Sequence, residues 1–392
     1  MSAPSEAVRA KTLSERLGIR PAIVELGHAH PAVRRVLQGA GGTLSFLVTL
    51  DDDRIEALEV EIGIGHRGFE KEVESRPWQE APPYVARLGW AGGAIARIAY
   101  CLAVERLADL ALPPSAIWHR TLVCELARVT DHLARVAALA AAIAASAAER
   151  IARSAELAAM TLLETSLGGS PFTAGALPGG MTAPLPEGFD ATWQAGRGGL
   201  ERALGRLSLL LLEQGSAVDR LMAVAPLGRE DALAWAVTGP CLRASGVARD
   251  RRRDDPGLAY AELDFSVPIG TLGDDYDRLA VVFEEVRQSL WLVEQCVCRM
   301  RGTERGAAGA IGVGGEALVV PAGEVEVALE SSTGELAFHL VSDGGPLPRR
   351  IRCRAPSFFH AQALPAVLRG ARLDDLLPTV ALFHVVSGEC DR

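Results

Sequence analysis

The chain has 392 residues, with 40 basic against 49 acidic side chains and a formal charge of −9. Hydrophobic residues make up 49% and charged residues 23%, which suits a folded chain with a sizeable core and excludes a disordered one. The acidic balance argues against nucleic acid as a partner.

In chain order, residues 1–20 read as a polar lead-in with no secretory signal. Residues 21–65 form an N-terminal β-rich segment. Thr43 to Leu50 is an apolar strand, Asp51-Asp52-Asp53 turns, and Leu58, Val60 and Ile62 alternate with Glu59 and Glu61 in a hairpin with one wet face. Residues 66–301 are a helical bundle domain. Ile95, Ile98, Leu102 and Leu107 mark a helix from Gly92 that Pro113-Pro114 stops, and Ser115 caps the next. Helices follow over Ser115 to Ala148, Ala155 to Leu167 and Ala191 to Met222. A long one starts at Asp274-Asp275, with Leu279, Phe283, Val286, Leu290 and Val293 at helical spacing. The alanine run from Val136 to Ala148 is shorter than the ~20 residues of a membrane span.

Residues 302–315 are a Gly-rich linker. Its Gly312 to Gly315 string leaves a helix and opens a strand, the reverse of a dinucleotide loop. Residues 316–392 are a C-terminal β-rich segment and tail, with Val325, Val327 and Leu329 alternating, a turn at Ser331 to Gly334, Leu336 to Val341, then Ile351 and Cys353. The fold class is α+β, a large central helical bundle flanked by small β-rich elements from both termini. Cys101, Cys124, Cys241, Cys296, Cys298, Cys353 and Cys390 contain no CxxC pair, so reduced thiols are expected, with Cys296 and Cys298 as buried ones.

Several strings go further. They begin with Gly27 to Pro31 (GHAHP) followed by Val36-Leu37, then Ile62 to Lys71 (IGIGHRGFEK) and Ala99 to Glu105 before Pro113-Pro114. Thr238-Gly239 with Leu242 to Val247, and Asp264-Phe265 with Val267 to Gly270, come next. Gly334 to Leu336, Val341 to Gly345, Arg354 to Phe358 and Gly388 to Arg392 close the series. In this order they resemble the superfamily of [NiFe]-hydrogenase large subunits and the D-type subunits of NADH–quinone oxidoreductase (respiratory complex I), and the late strings favour the D-type branch. The resemblance implies a peripheral-arm subunit of an ion-pumping complex at the cytoplasmic face of a bacterial inner membrane. Its partners would be a small iron–sulfur subunit, other peripheral-arm subunits and membrane-domain subunits. Quinone would enter a cleft beside the neighbour's iron–sulfur cluster, and this chain would bind no cofactor itself.

Departures from the pattern matter as much. The hydrogenase thiolate positions fall on Gly89, Gly92, Val386 and Glu389, so no metal site is expected. Arg34 stands at the family's quinone histidine, Trp90 at its tyrosine and Ala142 at its orienting aspartate. Neither Arg34 nor Trp90 gives up a proton readily near neutral pH, although both can grip a flat ring. Arg87 keeps the position of a cluster-proximal arginine, while Phe172 replaces a redox-linked histidine.

The cleft candidates are therefore His30, Arg34 and Trp90, with Arg87 near the cluster and His66 and Glu70 as a candidate proton path. Plainer readings stand beside these: His30 as the cap of a tight turn, and His66, Arg67 and Glu70 as a salt-bridged helix start. His384, Glu389 and Cys390 are an alternative metal set near the lost second thiolate pair. The rival to an acceptor-binding subunit is a non-catalytic scaffold in a hydrogenase-related energy-converting complex.

Overall fold

A computed structural model describes residues 22–37, 42–301 and 317–392. The lead-in at 1–20 and the Gly-rich linker at 302–315 lie outside the described residues. Near the N-terminus, β1 (Ala22–Leu26), β2 (Ser45–Asp51) and β3 (Arg54–Glu61) form one antiparallel sheet in the order β1-β2-β3, with α1 (Pro31–Leu37) between the first two strands. Phe46 pairs with Val60 and Val48 with Leu58, and Phe46, Val48, Ile55 and Leu58 are buried while Leu47 and Glu59 face out. The expected hairpin is there. The strand β1 is an addition, short and largely exposed.

The bundle begins after α2 (Phe69–Glu74) with α3 (Gly93–Leu107). This helix ends well before the prolines. Asp109 adopts a left-handed conformation (φ 52°) and the Leu110 amide bonds back to the Glu105 carbonyl, a Schellman stop. Helix α4 (Pro114–Ala142) then starts with Pro113 at the N-cap position and no side-chain cap, so Ser115 does not cap it. The single helix expected over 115–148 is broken. Ala144 sits at φ 56°, the Ala145 amide returns to the Ala140 carbonyl, and α5 (Ser146–Leu167) begins earlier than expected. A glycine would have flagged that stop; an alanine does not.

A two-residue hairpin, β4 (Ala176–Leu177) and β5 (Gly180–Met181), precedes α6 (Phe189–Ser208). The helix foreseen over 191–222 divides there, into a π-turn at Leu209–Glu213 and a short helix at Gly215–Asp219. Helix α7 (Asp275–Met300) starts where expected, with Asp274 accepting the Asp277 amide. Cys296 is buried, but Cys298 is exposed, contrary to expectation.

The C-terminal sheet runs β6 (Gly323–Glu330), β7 (Glu335–Ser342) and β8 (Arg350–Arg354), all antiparallel. The rest of the tail is not β-rich. It folds as α8 (Pro356–Val367), α9 (Leu376–Phe383) and α10 (Ser387–Cys390). Pro356 at the first turn of α8 opens this helical stretch, whose apolar residues are interrupted by Ser357, His360 and Gln362 without a clear helical period.

Helix α4 is the axis of the molecule, packed by α5, α7 and α9. Every residue from His119 to Ala141 on it is buried. A helix buried on all sides must pair its charges. Glu125 meets Arg252 (3.1 Å) and the hydroxyls of Tyr260 and Ser289 (2.6 Å each), while Arg243 bridges Glu285 (2.6 Å) and Glu330 (2.7 Å). Among the described residues no helix is long and apolar enough to cross a membrane.

Candidate functional site

The segment from Ala86 to Gly92 folds back between the short helical turns at 82–88 and the start of α3. A Cβ at Gly93 would stand 1.9 Å from the Ala86 carbonyl oxygen, so only glycine allows the backbone to close this tightly. Trp90 projects from the turn, 37% exposed, and its ring packs 5.7 Å from Phe172 at 60°. Two positions flagged separately in the sequence thus make one aromatic surface. Arg87 is exposed beside it, its guanidinium 5.9 Å from the Tyr84 ring.

The turn is held from below by Asp131 of α4. Its carboxylate accepts the Ala91 amide (3.1 Å), the Gly92 amide (2.8 Å) and the Ser332 hydroxyl (2.6 Å). Burial raises this carboxyl to about 6, against the pull of those donors and of Arg135 one helical turn along. The Arg135 guanidinium bonds the Ser332 carbonyl (3.2 Å) and the His384 imidazole. Burial and the Arg135 charge keep His384 well below the ordinary histidine range.

The C-terminal tail gathers the remaining loops. Asp391 accepts the amides of Gly63 (2.5 Å) and Gly65 (2.7 Å), Ser387 accepts the Thr43 amide (3.0 Å), and Gly388 lies so close to the turn that a Cβ there would meet the Leu88 carbonyl oxygen at 2.5 Å. Glu389 is buried and raised by that burial, held by Thr333 (2.8 Å) and Ser357.

Nickel does not fit. Gly89, Gly92 and Val386 offer no donor. A Cβ at Gly92 would stand 2.4 Å from an Asp131 carboxylate oxygen and 3.0 Å from the Ser332 hydroxyl, so those two groups fill the space a thiolate would need. Among the described residues no group of three or more His, Cys, Asp or Glu converges on a metal position. His384, Glu389 and Cys390 do not converge either, since the first two are engaged by Arg135, Thr333 and Ser357.

The other sequence candidates are placed as follows. His30 makes the tight turn before α1, its amide bonding the Gly27 carbonyl (2.8 Å) and its carbonyl taking the Arg34 amide (2.9 Å). The side chains of His30 and Arg34 are exposed and make no hydrogen bond, ion pair or ring contact with Trp90. His66 lies 3.0 Å from the Asp391 carbonyl oxygen through Nδ1. Glu70 does not pair within its own helix start. It accepts the Cys353 amide (2.9 Å) and reaches Arg352 (3.4 Å) and Arg350 (3.9 Å), tying α2 to β8. Ala142 is half-buried, about three turns along α4 from Asp131.

The Leu177-Pro-Gly-Gly180 string is the β4–β5 hairpin, clamped from α3 and α4. Glu105 takes the Gly179 amide (2.7 Å), and Arg120 donates to Glu105 (2.6 Å) and to the carbonyls of Leu177 (2.9 Å) and Gly180 (2.8 Å). Sequence reasoning missed Asp131. The available signal was weak: one acid in the mixed string VTDHLARV, whose Val129, Leu133 and Val136 keep helical spacing.

Known proteins share this architecture. Residues 153–313 and 310–392 match the family model described as the 49 Kd subunit of respiratory-chain NADH dehydrogenase. The chain is 33% identical to a D-type NADH-quinone oxidoreductase subunit of Anaeromyxobacter sp. (strain K) over 94% of its length and 89% of the relative's. It is 33% identical to the D-type NADH-quinone oxidoreductase subunit of Pelobacter propionicus over 94% and 95%. Among solved structures, a chain of the membrane-bound sulfane sulfur reductase, an archaeal respiratory membrane complex, superposes with a TM-score of 0.88. It shares 29% identity and covers 95% of this chain and 99% of its own.

Proposed function

The chain belongs to the family of the 49 Kd subunit of respiratory-chain NADH dehydrogenase, and from that premise we propose that it is a peripheral-arm subunit of a complex-I-like, membrane-bound oxidoreductase. It works with a small iron–sulfur subunit at the cytoplasmic face of the membrane, and the two form a modified acceptor cleft. Quinone, or another flat acceptor, stacks on Trp90 and takes electrons from the neighbour's cluster, with Arg87 between the two. This chain supplies no metal or cluster. Its residues bind and orient the acceptor.

The observation that carries this reading is the Trp90–Phe172 surface, exposed on a turn that Asp131 fixes from the core. A large aromatic left a third exposed and backed by a buried carboxylate suits a flat ligand. His30 and Arg34, whose side chains are exposed, stay candidates to meet an acceptor's carbonyl oxygens. We assign His66 and Glu70 to anchoring the tail and β8 instead of to proton transfer, because their partners are backbone groups and arginines of those elements.

The scaffold reading has one observation in its favour, that neither Arg34 nor Trp90 is a proton donor. Co-expression with the small iron–sulfur subunit, followed by titration of the purified pair with a short-chain quinone, decides between them. Saturable binding supports the acceptor cleft; a stable pair that binds no quinone leaves the scaffold.

A further inference from the structure

Asp131 stands where the acceptor surface meets the core, and nothing in the proposed electron transfer uses a change in its protonation. Its two carboxylate oxygens accept the amides of consecutive residues, Ala91 and Gly92, immediately after Trp90. A third donor, the Ser332 hydroxyl, comes from the β6–β7 turn. Such a clamp is strongest while the acceptor of all three bonds carries a full charge, because charge-assisted hydrogen bonds are roughly twice as strong as neutral ones. Protonation would turn one oxygen into a donor facing amides that also donate.

We propose that Asp131 is the positioning residue of the acceptor surface, and that a proton taken up by its carboxyl loosens the turn carrying Trp90. The inference rests on the acceptor-cleft reading above. The titratable and charged groups facing Asp131 are few. Arg135 lies on its own helix, His384 at the end of α9 lies behind that arginine, and Glu389 on α10 acts at electrostatic range. The 86–92 turn faces it with amides and the β6–β7 turn with hydroxyls. Burial brings the midpoint near pH 6, so the device operates close to neutrality. Because quinone reduction consumes protons, a proton-sensitive surface would link acceptor affinity to the proton supply at the cleft.

The test is hydrogen exchange at the Ala91 and Gly92 amides in the assembled complex between pH 5 and 8, corrected for the intrinsic rate. A short-chain quinone KM is measured alongside. In the wild type, protection falls roughly five-fold on going below the midpoint, and KM rises with it. Ser332→Ala removes a donor that favours the charged carboxyl, so the midpoint moves to higher pH. Asp131→Asn abolishes the step and shows the acidic-limb protection and KM at pH 8. A purely structural carboxylate would lower stability in these variants without moving a midpoint. Protection that is flat with pH in the wild type, or a midpoint unmoved by Ser332→Ala, overturns the proposal. The exchange readout needs no acceptor, so failure of quinone binding would remove the proposed function while the exchange data still decide the role of Asp131.

Discussion

Glu105→Gln removes a charge from a site shielded from solvent. Arg120 is fully buried and Glu105 is 3% exposed, and they meet through two hydrogen bonds of 2.8 and 2.6 Å. Breaking a buried pair by neutralising one partner leaves the other charge stranded, at a cost of about 3–5 kcal/mol. An exposed pair such as Arg349–Asp343, with side chains 66% and 64% exposed, should contribute close to nothing when broken. The glutamine keeps the shape of the carboxylate, so the loss is electrostatic and local. It falls on the β4–β5 hairpin, because Glu105 also holds the Gly179 amide and Arg120 the carbonyls of Leu177 and Gly180. Urea unfolding of the chain purified with the proposed iron–sulfur partner measures the effect. The single variant should be severely destabilised, and Glu105→Gln with Arg120→Met should recover only part of the loss, because the Leu177 and Gly180 carbonyls then lose their donor. A single variant within about 1 kcal/mol of wild type would refute the claim that this pair is uncompensated when broken.

Other outcomes follow from the same structure. The purified single chain should contain neither nickel nor iron in stoichiometric amount, since Asp131 and Ser332 fill the space at Gly92; elemental analysis checks it. Burial holds His119 neutral, lowered to about 4 where it contacts the Ser166 carbonyl. A folded pKa below the unfolded value of about 6.5 gives stability that is complete above that pH and lost as the pH falls towards 4. His119→Gln should therefore unfold at pH 5 with about one proton fewer taken up than wild type, by potentiometry or calorimetry in two buffers. An unchanged proton uptake would count against a neutral buried imidazole.

The parts of the fold legible in the sequence are those where a local pattern and the tertiary environment agree. Asp274 caps α7 as its position suggests, and the alternation of Val325, Val327 and Leu329 lies on β6. The failures share a cause. Ala144 and Asp109 end helices through left-handed backbone that their side chains do not advertise, and the helices after Arg354 carry apolar runs without a clear period. The site divides the same way. Trp90 and Phe172 were each visible as departures from a family pattern, but their tilted ring contact joins residues 82 positions apart. Asp131 was not visible, because its meaning comes from Ala91, Gly92 and Ser332, which only the fold brings to it. Glu70 likewise gains from the fold a neighbour its string did not carry, the Cys353 amide of β8.

The central claim is that Trp90 receives the acceptor. Its most direct test is the rate at which a quinone reoxidises the partner subunit's reduced iron–sulfur cluster, in complexes of matched composition carrying Trp90, Trp90→Phe or Trp90→Ala. Loss of a ring contact costs about 1 kcal/mol, a several-fold fall in acceptor affinity. Trp90→Ala should need several-fold more quinone for half-maximal reoxidation, and Trp90→Phe should recover most of the difference. Reoxidation indifferent to all three side chains at every quinone concentration would contradict the acceptor cleft and leave the chain a scaffold.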